Sequence, residues 1–300
     1  MNQLTINQNY SKSLFFAKVL RRIPFCGGIS VLYNERRHKR IETKLRPVLD
    51  YSIQLVIHKK EYKKYEGSNI IWIFWWQGKD NMPLLVKKCY KSIERNKGKR
   101  EIILVTKDNI REYAKIPEYI YKKVEEKKIT LTHFSDILRF NLLNNYGGIW
   151  VDATIYAASS LNKFDTNFLF TCSGLPKDNY FNVSYGRWTG FLIGGPAHLK
   201  LFQFMDTFFS IYWKYNNVLI DYFLIDYALN FVWNKNVDDF QNVAKKYKDI
   251  TPNLFKLESN LNNRYDKQKW EELTKSTNVF KLSYKKKINY ADKKNFFYYL

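Results

Sequence analysis

Apolar positions in the middle of the chain follow two rhythms, short unbroken runs and runs at helical spacing. Residues 70–75 form a continuous apolar run of strand length, and residues 101–105, apolar after Glu101, read as a second strand. Between them, residues 83–96 carry Leu85, Cys89 and Ile93 at four-residue intervals with Pro83 in the first turn, which predicts a helix. Asp108 suits the cap of a short helix, residues 117–127 read as another helix, and residues 129–131 as a short strand. Next, Ile137, Leu138, Leu142 and Tyr146 predict a helix capped by Ser135. Gly147 and Gly148 should end it, because glycine accepts the left-handed geometry of a helix terminus. Residues 149–151 follow as a buried strand with Asp152 at its end. Alternating strands and helices predict an α/β fold, and in open sheets of that kind ligands bind beyond the carboxyl ends of the strands.

The pattern loosens after Ala158. Ser173-Gly-Leu-Pro-Lys-Asp-Asn179 reads as a loop, residues 198–215 as an aromatic-rich helix and residues 221–233 as a further one. Residues 234–278 are polar and read as mostly helical, and residues 279–283 return as a strand before a basic tail. Ahead of the first strand, residues 1–66 form a basic preamble. It includes Leu14-Phe-Phe-Ala-Lys-Val-Leu-Arg-Arg22, the run Glu35-Arg-Arg-His-Lys-Arg40 and a helix over residues 51–65 stopped by Gly67. That mixture suits a helical pair packed on the rest of the molecule, and equally a segment lying in a membrane interface with its cations near anionic headgroups. The expected organisation is a helical N-terminal extension over residues 1–66 and one domain over residues 67–300 with a mostly helical C-terminal part. No internal repeat or flexible linker interrupts it.

With 45% apolar and 18% aromatic residues, the 300-residue chain has ample material for a core. Its formal charge of +22 favours polyanions such as nucleic acid, anionic lipid or phosphate-bearing substrates. Compositional drift toward Lys, Asn, Ile, Tyr and Phe is the competing source of that charge. Cys26, Cys89 and Cys172 are odd in number and far apart, which points to a reducing compartment rather than a disulfide framework. Arg21 and Arg22 split the apolar stretches 14–20 and 23–33, so neither reaches the ~18–20 residues needed to span a bilayer, and no signal-peptide cleavage pattern follows. A cytoplasmic protein, peripheral on the inner face of the membrane, is the expectation. His38, His58, His133 and His198 show no ligand spacing. A hydrolase elbow, a phosphate loop and a Rossmann glycine fingerprint are all missing, Gly194-Gly195 being too short for the last.

Tyr146-Gly-Gly-Ile-Trp-Val-Asp-Ala-Thr154 resembles the Asp-X-Asp motif of glycosyltransferase family 32, most closely its bacterial branch of capsular polysaccharide synthesis proteins. Other segments fall in family-like order: Ile70-Ile-Trp-Ile-Phe-Trp-Trp-Gln-Gly78, Ser135-Asp-Ile-Leu-Arg139, Trp188-Thr-Gly-Phe-Leu-Ile-Gly-Gly195, Leu219-Ile-Asp-Tyr-Phe-Leu-Ile-Asp226 and Phe280-Lys-Leu-Ser-Tyr-Lys285. The resemblance covers residues 69–287. It implies a GT-A-like, Rossmann-type nucleotide-binding sheet flanked by helices. It also implies transfer of a sugar, with retention, from a nucleotide-sugar donor to a lipid-linked surface polysaccharide intermediate.

The resemblance assigns Asp152 to the donor and to a Mn²⁺ or Mg²⁺ ion, which would neutralise the leaving diphosphate as a Lewis acid. Thr154 stands where the fuller motif has its second carboxylate, so the metal site would hold one charge fewer. Asp136 and Arg139 share a helix face and would bind the donor's hydroxyls and phosphate side; an ordinary i,i+3 ion pair is the alternative. Trp75, with Trp76 beside it, would stack on the base unless both rings fill the core. Ser283, Tyr284 and Lys285 would close over the diphosphate, and Asp221 or Asp226 would orient the acceptor or act in catalysis. Tyr146, Gly148 and Trp188 complete the expected substrate-binding set. A sugar-phosphate or other group transferase, a family member that binds donor without turnover, and a non-catalytic nucleic-acid-binding protein are the alternatives. The basic residues are not interleaved with aromatics in any recognisable module, so nucleic acid is not an expected partner.

Overall fold

The computed structural model describes residues 4–57, 68–174, 180–247 and 250–300. The chain opens with helices α1 (Ser11–Leu20) and α2 (Gly27–Ile57). The first half of the sheet follows as β1 (Ile70–Phe74), α3 (Leu84–Asn96), β2 (Glu101–Val105), α4 (Ile110–Tyr113), α5 (Glu118–Glu125), α6 (Leu131–Tyr146) and β3 (Gly148–Val151). Then come β4 (Ile155–Ala157), β5 (Phe170–Thr171), β6 (Leu192–Gly195), α7 (Lys200–Tyr215) and α8 (Leu224–Asn234). The chain closes with α9 (Phe240–Lys246), α10 (Lys267–Thr274), β7 (Val279–Lys281) and α11 (Phe296–Tyr299).

Five strands form a central mixed sheet in the order β2-β1-β3-β6-β5. β1 lies parallel to both β2 and β3, and β6 runs antiparallel to its neighbours β3 and β5. Helices cover the sheet, as the α/β expectation required, and the arrangement is consistent with a Rossmann-like GT-A fold. β1 and β3 are buried along nearly their whole length, which is why they read as unbroken apolar runs rather than as alternating ones. A separate two-stranded ribbon pairs β4 with β7, setting Ile155 opposite Lys281. That ribbon brings the C-terminal part of the chain back to the end of β3.

Several local expectations are corrected by side-chain hydrogen bonding. Thr130, not Ser135, caps α6, because its hydroxyl accepts the His133 N–H at 3.3 Å. The helix therefore starts a turn earlier, and Leu131 is its first residue rather than the end of a strand. Asn109 takes the cap position expected of Asp108, its side-chain oxygen accepting the Thr106 N–H at 2.7 Å, while Asp108 lies exposed outside. The helix read over 221–233 begins only at Leu224, because the Asp221 carboxylate accepts the Phe223 N–H at 2.9 Å and closes a turn first. His198 sits at φ +59°, so α7 starts two residues later than its apolar spacing suggested. The polar segment after residue 234 is less helical than expected: Asn236, Asp238 and Asp239 all take positive φ and break it into short pieces. Of the helix read over 51–65, the first seven residues continue α2, and the remainder lies outside the described residues.

One hydrophobic core joins α1 and α2 to α6, α7, α8 and the sheet, with Ile41, Leu45, Val48 and Leu49 among its members. Three polar pairs fasten α2 to the loop before α8 and to α8 itself. Arg37 forms a buried ion pair with Asp221, His38 Nδ1 meets the Tyr227 hydroxyl at 2.8 Å, and Asn230 donates to Glu42 at 2.7 Å. Burial holds the His38 pKa down at about 4, so its ring is neutral at physiological pH. The cysteines are free thiols, and burial pushes Cys89 and Cys172 up to about 12 and about 11.

Candidate active site

The site grows out of the end of β3. Trp150 and Asp152 are two residues apart and face the same side of the strand, so the indole N–H donates to Asp152 Oδ1 at 2.8 Å. The Asp152 N–H is held by the Phe191 carbonyl at 2.9 Å, and the Ile155 N–H bonds back to the Asp152 carbonyl, turning the chain into β4. From α6, Arg139 donates to Asp136 Oδ1 at 2.9 Å and to Asp152 Oδ1 at 3.2 Å, with its guanidinium 5.0 Å from the Trp150 ring centre. Only 5% of the Arg139 side chain is exposed, so the Asp136–Arg139 pair is not a surface i,i+3 bridge. Gly190 makes room for it: a Cβ there would lie 2.8 Å from Arg139 Nη1. His133 completes this wall. Its Nε2 accepts the Trp213 indole N–H at 3.0 Å, which leaves the ring proton on Nδ1, 3.6 Å from Asp136.

Lys281 enters from the opposite side on β7. Its Nζ lies 2.7 Å from Asp152 Oδ2 and 2.7 Å from Thr154 Oγ1. The Leu282 N–H donates to the Thr154 carbonyl at 3.0 Å and locks the strand in place. Burial alone would raise the Asp152 pKa, but the charges of Lys281 and Arg139 outweigh it and hold the carboxyl below its usual value.

These groups line a cleft of about 800 Å³ beyond the carboxyl ends of β1 and β3. Trp75 and Tyr284 meet edge to face at 5.6 Å on one wall, and Ser283 and Lys285 adjoin them. The buried Trp75 indole N–H has no hydrogen-bond partner among the described residues. Trp76 reaches the cleft but packs edge-on against Phe134 at 5.9 Å, so it serves mainly as core. Asp226 closes the far wall and accepts the Trp188 indole N–H at 3.1 Å. Burial, with the Asp136 charge adding to it, lifts the Asp226 carboxyl to about 7 against the pull of Trp188, Arg139 and Arg187. A second depression, of about 810 Å³, runs along α2 beside Glu42, Arg46 and Asp50, away from all of these groups.

Four expected substrate contacts stand elsewhere. Tyr146 is at the opposite end of α6 from the cleft, its ring 5.5 Å from Trp72. Gly148 begins β3 at φ +96°, where a Cβ would lie 2.5 Å from the Ile70 carbonyl oxygen, so it serves strand packing. Trp188 is buried behind the wall and reaches the cleft only through Asp226. Asp221 is buried against Arg37, which satisfies its charge within the scaffold. Sequence reasoning passed over two groups that the fold brings in. Lys281 lies within the Phe280–Lys285 motif but precedes the residues singled out there, and Gly190 lies within the Trp188–Gly195 motif.

The donor set does not suit a divalent cation. Both Asp152 oxygens accept from cationic donors, and the ammonium of Lys281 stands between Asp152 and Thr154, the two residues expected to hold the ion. Among the described residues, no group of three or more His, Cys, Asp or Glu side chains could hold a metal.

A family model of capsular polysaccharide synthesis proteins matches residues 27–300. The chain belongs to that family. No curated protein and no solved structure gives a significant match. Membership gives the chain a role in capsular polysaccharide synthesis, and the match takes in both α2 and the whole sheet. The residues around the cleft are therefore all inside the matched region.

Proposed function

We propose that the chain is a glycosyltransferase that moves a sugar from a nucleotide-sugar donor to a lipid-linked intermediate of the capsular polysaccharide, with retention of configuration. The observation that carries this reading is the partly buried Asp136–Arg139–Asp152–Lys281 array at the carboxyl ends of the parallel strands, in a cleft with one aromatic wall. Each part has a chemical use. The Trp75 ring offers a stacking face for a nucleobase, and its unpartnered N–H offers a donor. Asp136 accepts from sugar hydroxyls while Arg139 fixes its geometry. Ser283 and Lys285 supply a hydroxyl and an ammonium beside the diphosphate. Asp226, titrating near neutral pH, is matched to take a proton from the acceptor hydroxyl. A Mn²⁺ or Mg²⁺ ion would act as a Lewis acid on the diphosphate, but the Asp152–Thr154 pair that would hold it is taken by Lys281.

Thermal stability of the purified protein against a panel of nucleotide sugars tests the reading, since a ligand selective for the folded state raises the melting temperature. A selective rise with one donor, followed by transfer to a lipid-linked acceptor, is expected. Binding to arbitrary DNA with no response to any nucleotide sugar would replace it with the nucleic-acid reading.

We further propose that the tip of the α1–α2 hairpin docks on an anionic membrane. No helix among the described residues is long and apolar enough to cross one. Phe15, Phe16, Ile23, Phe25, Ile29 and Leu32 are all exposed around that tip, Phe25 completely. The exposed cations Lys12, Lys18, Arg22 and Arg36 lie on the same two helices and the turn between them. Exposed apolar side chains interspersed with Lys and Arg suit the boundary between acyl chains and anionic headgroups. The opposite face of α2 packs into the core, as a helical pair resting on the rest of the molecule would, which leaves the exposed face for the membrane.

A further inference from the structure

We infer that Lys281 does the work of the divalent cation in this cleft, so that the donor's diphosphate is held and neutralised by protein cations without a metal ion. The inference rests on the nucleotide-sugar reading above and adds how the leaving group is met. Its basis is geometric. The oxygens that an Asp-X-Asp motif would turn toward a metal are here Asp152 Oδ2 and Thr154 Oγ1, and Lys281 Nζ is 2.7 Å from each. Replacing the second carboxylate by threonine removes one negative charge from the ligand pair, and the lysine supplies a fixed positive charge in the same place. The positive charge that a one-carboxylate ligand pair would hold weakly is thus supplied by the chain itself.

Lys281 is also held as a built-in group would be. It sits in the β4–β7 ladder opposite Ile155, and its ammonium packs 4.8 Å from the centre of the Phe191 ring. Its side chain keeps 21% exposure at the cleft, and an ammonium with two of its three donors used retains one for an incoming oxygen. The other Asp152 oxygen is filled by Trp150 and Arg139. A divalent ion would have to displace Lys281 and stand next to the Arg139 guanidinium with a single carboxylate as its charged ligand. Like charges at such separations repel strongly in a partly buried site.

In the transfer itself, the bond between the anomeric carbon and the β-phosphate oxygen breaks, and the electron pair stays on that oxygen. The charge developing there is met by the Lys281 ammonium, a fixed donor of the kind that stabilises transition-state oxyanions. The acceptor's hydroxyl oxygen bonds to the anomeric carbon, and its proton passes to Asp226.

The test is calorimetric titration of the full chain with UDP, GDP, ADP and TDP, in EDTA and again with Mn²⁺ or Mg²⁺. At least one nucleoside diphosphate should bind in EDTA, with an affinity changed less than about threefold by the metal. Lys281→Gln should weaken that binding about 10- to 100-fold in EDTA without recovery on adding Mn²⁺, and Lys281→Arg should retain most of it. Binding that requires Mn²⁺ in the parent protein would overturn the inference and leave the nucleotide-sugar reading standing. Binding of no nucleoside diphosphate under either condition would overturn both. Should Lys281→Gln fail to fold, the EDTA comparison on the parent protein decides alone.

Discussion

Replacing Asp226 by Asn tests whether the fold raises the pKa of this carboxyl to near neutral. Burial next to Asp136 lifts its pKa from 3.8 to about 7. The folded protein therefore binds the proton more tightly than the unfolded chain does. The stabilisation this gives is complete below about pH 4 and is lost as pH rises through about 7. At 1.36 kcal/mol per unit, a shift of about 3 units is worth about 4 kcal/mol between the two limits. Asparagine keeps an oxygen for the Trp188 indole N–H, now at 3.1 Å, but does not ionise. The variant should therefore gain stability relative to the parent by about 2–3 kcal/mol between about pH 5 and about pH 8. Urea denaturation of both proteins at each pH measures this, read from midpoints with matched m values. His38 slopes the other way, because its lowered pKa gives stability that is present above about 6.5 and lost as pH falls toward 4. That contribution is common to both proteins and cancels in the difference. Parallel pH–stability curves would refute the reasoning. A carboxylate that costs stability at neutral pH and lines a cleft is a mark of function, so the same variant should lose transfer activity.

Asp152→Asn removes the counter-charge shared by Arg139 and Lys281. It should reduce transfer by about 100-fold or more and lower stability by about 1–2 kcal/mol; near-normal transfer would exclude Asp152 from the site. Arg37→Leu leaves the buried Asp221 unpaired and should cost about 3–5 kcal/mol in denaturant, while adding Asp221→Leu should restore most of it. Nucleotide affinity of the folded double variant should match that of the parent, because neither residue lines the cleft. Phe25→Asp should leave the melting temperature unchanged, given full exposure, yet reduce sedimentation with phosphatidylserine vesicles about tenfold; unchanged sedimentation would remove the tip from the membrane contact.

The fold was legible wherever local pattern and tertiary burial agree. Residues 101–105 match β2 at both ends, and the 83–96 spacing matches α3 to within one residue. The Leu85, Cys89 and Ile93 face of α3 is buried, as its spacing implied. The failures sit at helix starts, where one side chain decides among several candidates. Ser135 and Thr130 are both acceptable caps by residue type, Ser the better, and the Thr130 hydroxyl prevails because it meets the His133 N–H. The start of α8 depends on a partner 184 positions away in sequence, since Arg37 fixes the Asp221 side chain that closes the preceding turn.

The same distinction separates what was readable in the site from what was not. Asp136, Arg139 and Asp152 lie within one helix–turn–strand passage, so a motif can hold them together, and the fold brings all three into contact. Lys281 belongs to a motif of its own, and nothing local relates it to Asp152, which lies 129 positions earlier. Their meeting depends on β7 returning to pair with β4 in one register. A slip of one residue would turn Lys281 to the other face of the ribbon, away from Asp152. Thr154 was the one local hint. A motif that lacks its second carboxylate must either hold its cation more weakly or replace it, and the choice between the two is written in a strand from the far end of the chain. The charge balance of this cleft is therefore a tertiary property, set by the register of two three-residue strands and testable through Lys281 independently of Asp152.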